Sequence, residues 1–245
     1  MWISKEILIV IEMILIIMAI WRIVKFIGFF RQTSSSLNFE ERVEESFKKQ
    51  FKSKILVTLL TREVSIYYYL FTKQPAVDNG YTYYKKIGYG GIIGAFIGVM
   101  VLEGIGVSYF LHSWNKALAI IHLIMSIYLI VYLVADFKAI KRNPITLKDG
   151  KLRIKLGLRI KAEVDLNNIE SISSSRIHYE EDKKKRDVLD LNLIGFDDPD
   201  FEIVLKEPVR IKDFIGREYP IKKIYLSIDE KENFSNECTR LIQSA

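Results

Sequence analysis

The chain has one cysteine, Cys238, in 245 residues, so it cannot form an intramolecular disulfide, and a disulfide-stapled secreted scaffold is excluded. Charge is scarce at the front: residues 1–137 hold 14 Lys and Arg with 10 Asp and Glu, while the remaining 108 residues hold 22 and 20. A segment this poor in charge and this rich in apolar runs belongs in a bilayer, and a segment as charged as the rest belongs in water. A single soluble globule and a disordered chain are both excluded. Reaction signatures are missing too: there is no HExxH, and GYGGIIG lacks the Lys and Ser/Thr of a phosphate loop. No Ser-His-Asp arrangement can be assigned. The net charge of +6 gathers beside apolar runs, where it marks topology and contacts with anionic head groups instead of a nucleic-acid footprint.

Three runs are long enough to cross a membrane. The first covers about residues 6–27 and is interrupted by Glu12. The second covers residues 87–111 with Glu103 as its one formal charge, and the third covers residues 117–136 and ends at Asp136. The link His112 to Lys116 is so short that the last two spans form an antiparallel hairpin. The first run is longer than a signal-peptide core and lacks a small-x-small cleavage site, so a retained anchor is expected. Lys138, Lys141 and Arg142 follow the third span, which puts the carboxyl half in the cytoplasm. The basic residues between Arg31 and Lys54 then keep residues 31–86 inside and the amino terminus outside.

Residues 54–71, KILVTLLTREVSIYYYLF, look like a fourth span but are amphipathic. At 100° per residue Lys54, Thr58, Thr61, Arg62, Ser65 and Tyr69 share one face, and Leu56, Leu59, Leu60, Tyr67 and Leu70 the other, with Glu63 in the middle of the apolar side. Such a helix is expected to lie in the head-group plane or to pack sideways on the bundle, and is less suited to a lipid-facing span.

From Asn143 the apolar period becomes two. ITLKDGKLRIKLG reads as strand, Asp-Gly turn, strand, and LRIKAEVDL, VLDLNLIGF, FEIVLKEPVRI and IKKIYLSID read as further strands. Asp229 is placed to cap a final helix with an apolar stripe through Phe234 and Cys238. The expected fold class is α+β: a membrane domain over residues 1–142, then residues 143–245 as a small antiparallel barrel or sandwich closed by a helix.

The run ITLKDGKLRIKLGLRIKAEVDLNNIESI, then FEIVLKEPVRI and the closing helix, resembles the bacterial pleckstrin-homology-like domain. The front segments TREVSIYYYLF, YTYYKKIGYGG and EGIGVSYFLHSW resemble an uncharacterised bacterial family of three-span proteins carrying that tail. The resemblance implies a module that binds a protein or a lipid head group, with no catalytic residue to carry over. The basic cluster Lys183–Arg186 lies where lipid-binding relatives keep theirs, flanked here by Glu180, Glu181, Asp182 and Asp187.

Polar residues in the membrane half are the candidates for function. Glu63, Glu103, His112, His122 and Asp136 could converge on a metal or proton site, because His and carboxylate suit a divalent ion. The competing reading is structural: Asp136 ends its span, His112 sits at the outer interface, and Glu63 pairs with a neighbour. His122 and Asp136 are also about 21 Å apart along one helix. Gly90, Gly94 and Gly98 repeat every four residues and are expected to let another helix approach. The tyrosines and Trp114 near span ends serve as interfacial anchors. The expectation is a membrane scaffold or adaptor with no cofactor or bound metal and no nucleic-acid partner. Its partners are membrane lipid and either another protein or a second copy. The alternative is a small intramembrane enzyme using Glu63, Glu103 and the histidines.

Overall fold

The computed structural model describes residues 5–35, 37–73, 80–174, 178–193 and 198–244. Compactness divides the chain into residues 1–65 and 66–245, and each unit is taken by itself.

The first unit contains α1 (Lys5–Gln32), α2 (Phe39–Lys48) and most of α3 (Lys54–Phe71). Glu12–Gln32 of α1 is long and apolar enough to cross a membrane. The sequence reading places no element at residues 39–48, yet the residues that start α2 are plain in hindsight. Asn38 Oδ1 accepts from the Glu41 amide at 3.0 Å, and Glu41 Oε2 accepts from the Asn38 amide at 3.3 Å, a reciprocal capping box. Val43 and Phe47 of α2 are buried with Val57, and Phe26, Phe30, Phe39, Phe51, Leu60 and Val64 close around them. Arg42 donates to the Phe30 carbonyl at 3.1 Å and lies over the Phe30 ring.

The second unit holds the end of α3, a helical hairpin and a sheet. The hairpin is α4 (Tyr89–Trp114) and α5 (Lys116–Arg142), both long and apolar enough to span. Asn115 alone separates them, its carboxamide oxygen accepting from Ala117 and Leu118 to start α5. Among the described residues three helices qualify as spans and match the three runs read from the sequence, and α3 does not qualify.

Strands β1 (Thr146–Lys148), β2 (Lys151–Leu156) and β3 (Ile160–Asp165) form a meander. The Asp-Gly turn forms as expected, with Asp149 at φ 55° and Gly150 at φ 70°, the left-handed pair that a two-residue hairpin requires. A single 3-10 turn (Leu166–Asn168) leads to β4 (Ile169–Ser173), and the short helix α6 (Tyr179–Asp182) precedes β5 (Val188–Asp190). Of the expected strand VLDLNLIGF, residues 194–196 lie outside the described residues. The long β6 (Phe201–Lys212) and β7 (Glu218–Leu226) complete the sheet, and α7 (Lys231–Ser244) packs Phe234 and Cys238 into its core.

Strand order is β1-β2-β3-β6-β7-β5, and β4 shares one edge of β6 with β3. The β6–β7 register breaks between Val204 and Val209, where Pro208 cannot donate to a ladder. Two expectations are corrected. Among the described residues the sheet is open, with β1 and β5 at its ends, and does not close into the expected barrel. It is also mixed, because β5 runs parallel to β7.

Candidate functional site

The hairpin and the sheet share one core. Tyr89 and Ile93 at the start of α4 and Ile140 at the end of α5 are buried together with Leu152, Ile154, Leu156, Ile203 and Ile224 of the sheet. Two polar clamps fix this contact.

The first is centred on Asp136, which is 3% exposed near the end of α5. The turn Gly157–Arg159 between β2 and β3 presses against it. The Leu158 amide donates to Asp136 Oδ1 at 2.8 Å, and Arg159 Nη2 lies 3.2 Å from Asp136 Oδ2. Arg159 also donates to the Tyr89 hydroxyl at 3.3 Å. Burial opposes the charge on Arg159, but the Asp136 carboxylate outweighs it and holds the guanidinium above its ordinary value. Gly157 has φ 55°, and a Cβ there would run into the Asp136 carboxyl group. Leu158 enters the small apolar cluster of Ile66, Tyr69, Ala135 and Ala139. Around it Tyr83 donates to the Lys155 carbonyl at 2.7 Å, and its hydroxyl is raised chiefly by burial and then by Asp136. Lys155 Nζ and Asn143 Nδ2 both donate to the Tyr69 hydroxyl, at 2.8 and 3.1 Å. Lys138 Nζ donates to the Leu70 carbonyl at 2.7 Å, satisfying the end of α3.

The second clamp holds the chain entering α4. Tyr81 and Ile145 exchange backbone hydrogen bonds of 2.7 and 2.9 Å. The Asp229 carboxylate accepts from the amides of Tyr84, Lys85 and Lys86 at 3.2, 3.1 and 2.7 Å. Asp229 therefore does not cap α7 as expected. The carboxylate is used on the 84–86 turn, and the Glu230 carbonyl takes the Phe234 amide. Tyr81 donates to Glu237 of α7, and burial, then this carboxylate, raises its hydroxyl.

A third network lies at the β5 side of the sheet. Asp182, nearly fully buried, accepts from Lys185 Nζ at 2.7 Å, from the Tyr225 hydroxyl at 2.8 Å and from Lys223. Burial alone would raise this carboxyl, but Lys185, Lys223 and Tyr225 hold it well below the usual range. Lys183 pairs with Glu180 at 2.6 Å. Two cations of the Lys183–Arg186 cluster are thus matched within α6 and its exit.

The other residues singled out from the sequence are dispersed. Glu63 is half-buried with Arg62 at 3.8 Å. Glu103 is exposed on α4 and has no partner among the described residues. His112 is exposed in the last turn of α4. His122 Nδ1 lies 3.0 Å from Ser108 Oγ, and Ser126 donates to the His122 carbonyl at 3.0 Å, so this histidine belongs to the hairpin seam. Among the described residues no group of three or more His, Cys, Asp or Glu is placed to hold a metal.

The glycine stripe is only partly used. A Cβ on Gly90 would meet Phe137 at 3.0 Å, but Gly94 and Gly98 face open space. The contact with α5 follows Gly90, Ile93, Ile97, Gly104 and Ser108, and a Cβ on Gly104 would lie 3.3 Å from the Ser126 side chain. Antiparallel helices meet along a period of about 3.5, so a stripe stepping by four rotates off the seam by about 50° per step.

Helix α3 is also turned from its expected setting. Ser65 and Tyr69 of the polar side are each buried, while Leu56 and Tyr67 of the apolar side are 38% and 58% exposed. The inward polar groups are satisfied: Ser65 donates to the Thr61 carbonyl at 2.8 Å, and Tyr69 takes Lys155 and Asn143.

Comparison with family models, with curated proteins and with solved structures gives no match.

Proposed function

We propose that this is an integral protein of a bacterial plasma membrane, with its amino terminus outside, that presents a cytoplasmic pleckstrin-homology-like module for a protein or lipid head group. One observation carries the reading. The sheet is clamped to both same-side ends of the α4–α5 hairpin, by Asp136 on Arg159 and Leu158 and by Asp229 on residues 84–86. Anything bound to the sheet is then held at a fixed height above the bilayer and cannot swing on a tether. The apolar residues that α3 turns outward, Ile55, Leu56, Tyr67 and Phe71, suit a helix lying against lipid. The enzyme alternative lacks support, since Glu103 points away from the hairpin seam that contains His122.

The test is in-cell crosslinking of the full-length protein followed by mass spectrometry, with crosslinkable residues placed on the sheet domain. One stoichiometric protein, or one lipid class, attached at the sheet is expected. Capture of nothing from native membranes at any sheet position would overturn the proposal.

A further inference from the structure

Two turns at one end of the sheet both reach α5. The turn 157–159 between β2 and β3 seats on Asp136, and in the turn 214–216 between β6 and β7 the Phe214 ring meets Tyr132 edge-on at 6.1 Å. From Ala117 to Ala135, α5 holds no Asp, Glu, Lys or Arg over about 29 Å, the hydrocarbon thickness of a bilayer, so the hydrocarbon of a spanning α5 ends at Asp136. Tyr132 lies about 6 Å deeper. Two residues behind these turns, the register sets Lys155 opposite Lys161, Lys161 opposite Lys212 and Lys212 opposite Glu218. The row is about 7 Å from the turns, within the roughly 5–8 Å of a head-group layer. The next two rows on that face pair opposite charges, Arg153 with Glu163 and Lys151 with Asp165. Like charges set directly opposite oppose folding, so the lysine row costs stability by itself. Lys155 donates to the Tyr69 hydroxyl and Glu218 offsets one charge, which still leaves three cations to one carboxylate along the row. Asp213 is committed to its own turn, accepting from the amides of Ile215 and Arg217 at 3.0 and 2.7 Å. Phe214 is 41% exposed.

We infer that this end of the sheet binds an anionic phospholipid, its phosphodiester on Lys155, Lys161 and Lys212 and Phe214 entering the acyl boundary beside Tyr132. Depth and charge together name the occupant. What surrounds a spanning helix at this level is lipid, and ammonium groups just outside the hydrocarbon are complementary to head-group phosphate. A phosphate on the row also relieves its repulsion, which accounts for the loss here of the sign alternation that the next two rows keep. Ammonium groups on flexible stems suit a phosphate that has no single fixed geometry. An aromatic tip backed by cations suits entry into a head-group layer. Every residue of the site belongs to the second unit, residues 66–245. The inference rests on α5 crossing the membrane and deepens the proposed binding role by naming a lipid class and its place.

The experiment titrates the full chain in a neutral detergent with phosphatidylglycerol, with phosphatidylcholine and with inorganic phosphate at matched ionic strength, and reads the thermal midpoint. Phosphatidylglycerol is expected to raise the midpoint by a few degrees, and the other two to leave it unchanged. Lys161→Gln with Lys212→Gln is expected to need about tenfold more phosphatidylglycerol for the same rise, with no loss of midpoint before lipid is added, because the repulsion is removed as well. Lys161→Arg with Lys212→Arg keeps the wild-type titration. Benzoylphenylalanine in place of Phe214, photolysed in native membranes, is expected to crosslink lipid. Equal responses to the two lipids, the same rise with inorganic phosphate, an unchanged glutamine variant, a glutamine variant destabilised without lipid, or crosslinks from position 214 only to protein would each overturn the lipid site. A partner captured elsewhere on the sheet would then still support the binding module. Release of the protein by carbonate washing would overturn the spanning reading itself, and the lipid site with it.

Discussion

The Arg159 guanidinium reaches from a turn of the sheet to within 3.2 Å of the Asp136 carboxylate on α5, and the neighbouring Leu158 amide donates to the same carboxyl group at 2.8 Å. A residue near the end of an apolar helix is thereby the fixed point for the sheet. Removing it leaves a partly buried guanidinium without its counter-charge, which typically costs about 3–5 kcal/mol. Asp136→Ala is expected to lower the thermal midpoint of the detergent-solubilised protein by several degrees. In an Arg159→Met background the same change should cost much less, because the orphaned charge is gone. Equal losses in both backgrounds would mean that the pair does not couple.

Gly157 and Gly150 offer a matched comparison. Both have positive φ, at 55° and 70°, but a Cβ on Gly150 meets open space while one on Gly157 meets the Asp136 carboxyl. Gly150→Ala is expected to cost about 1 kcal/mol, the backbone strain alone. Gly157→Ala adds displacement of the clamp and should cost at least twice as much in denaturant titration. Similar midpoints for the two variants would argue against a tight turn at Asp136.

Asp229 distinguishes a helix cap from a loop clamp. With Asp229→Ala, hydrogen exchange is expected to rise at the amides of Tyr84, Lys85 and Lys86, which lose their acceptor, and to change little in α7. A rise confined to residues 231–234 would restore the capping role.

Asp182 sets a dependence on acid. Its carboxyl is held below its ordinary value by Lys185, Lys223 and Tyr225 against the opposing effect of burial. A depressed folded value means that its stabilisation is present above the unfolded value of about 3.9 and is lost as pH falls below that toward the folded value. Wild type should thus exceed Asp182→Asn in stability at pH 6, and the gap should shrink steadily below pH ~4. A gap independent of pH would remove the ionised carboxylate from the account.

Much of the architecture is legible along the chain because it depends on local period. Three apolar runs of span length become α1, α4 and α5, and the alternation from Ile145 onward becomes the β1–β2–β3 meander with its Asp-Gly turn. The amphipathic period of residues 54–71 gives a helix, and the Asn38–Glu41 box marks the start of α2.

What the sequence by itself determined is which segments suit lipid, which suit water and where local turns fall, since length, period and turn chemistry act between near neighbours. Only the tertiary structure decided where each polar group is used. Asp136 takes Arg159, 23 positions away, and Asp229 takes amides more than 140 positions away. The same holds for the open sheet, the rotation of α3 and the divergence of Gly94 and Gly98 from the hairpin. Each is fixed by competition among distant partners for burial and hydrogen bonds, and a local pattern carries no record of which partner wins.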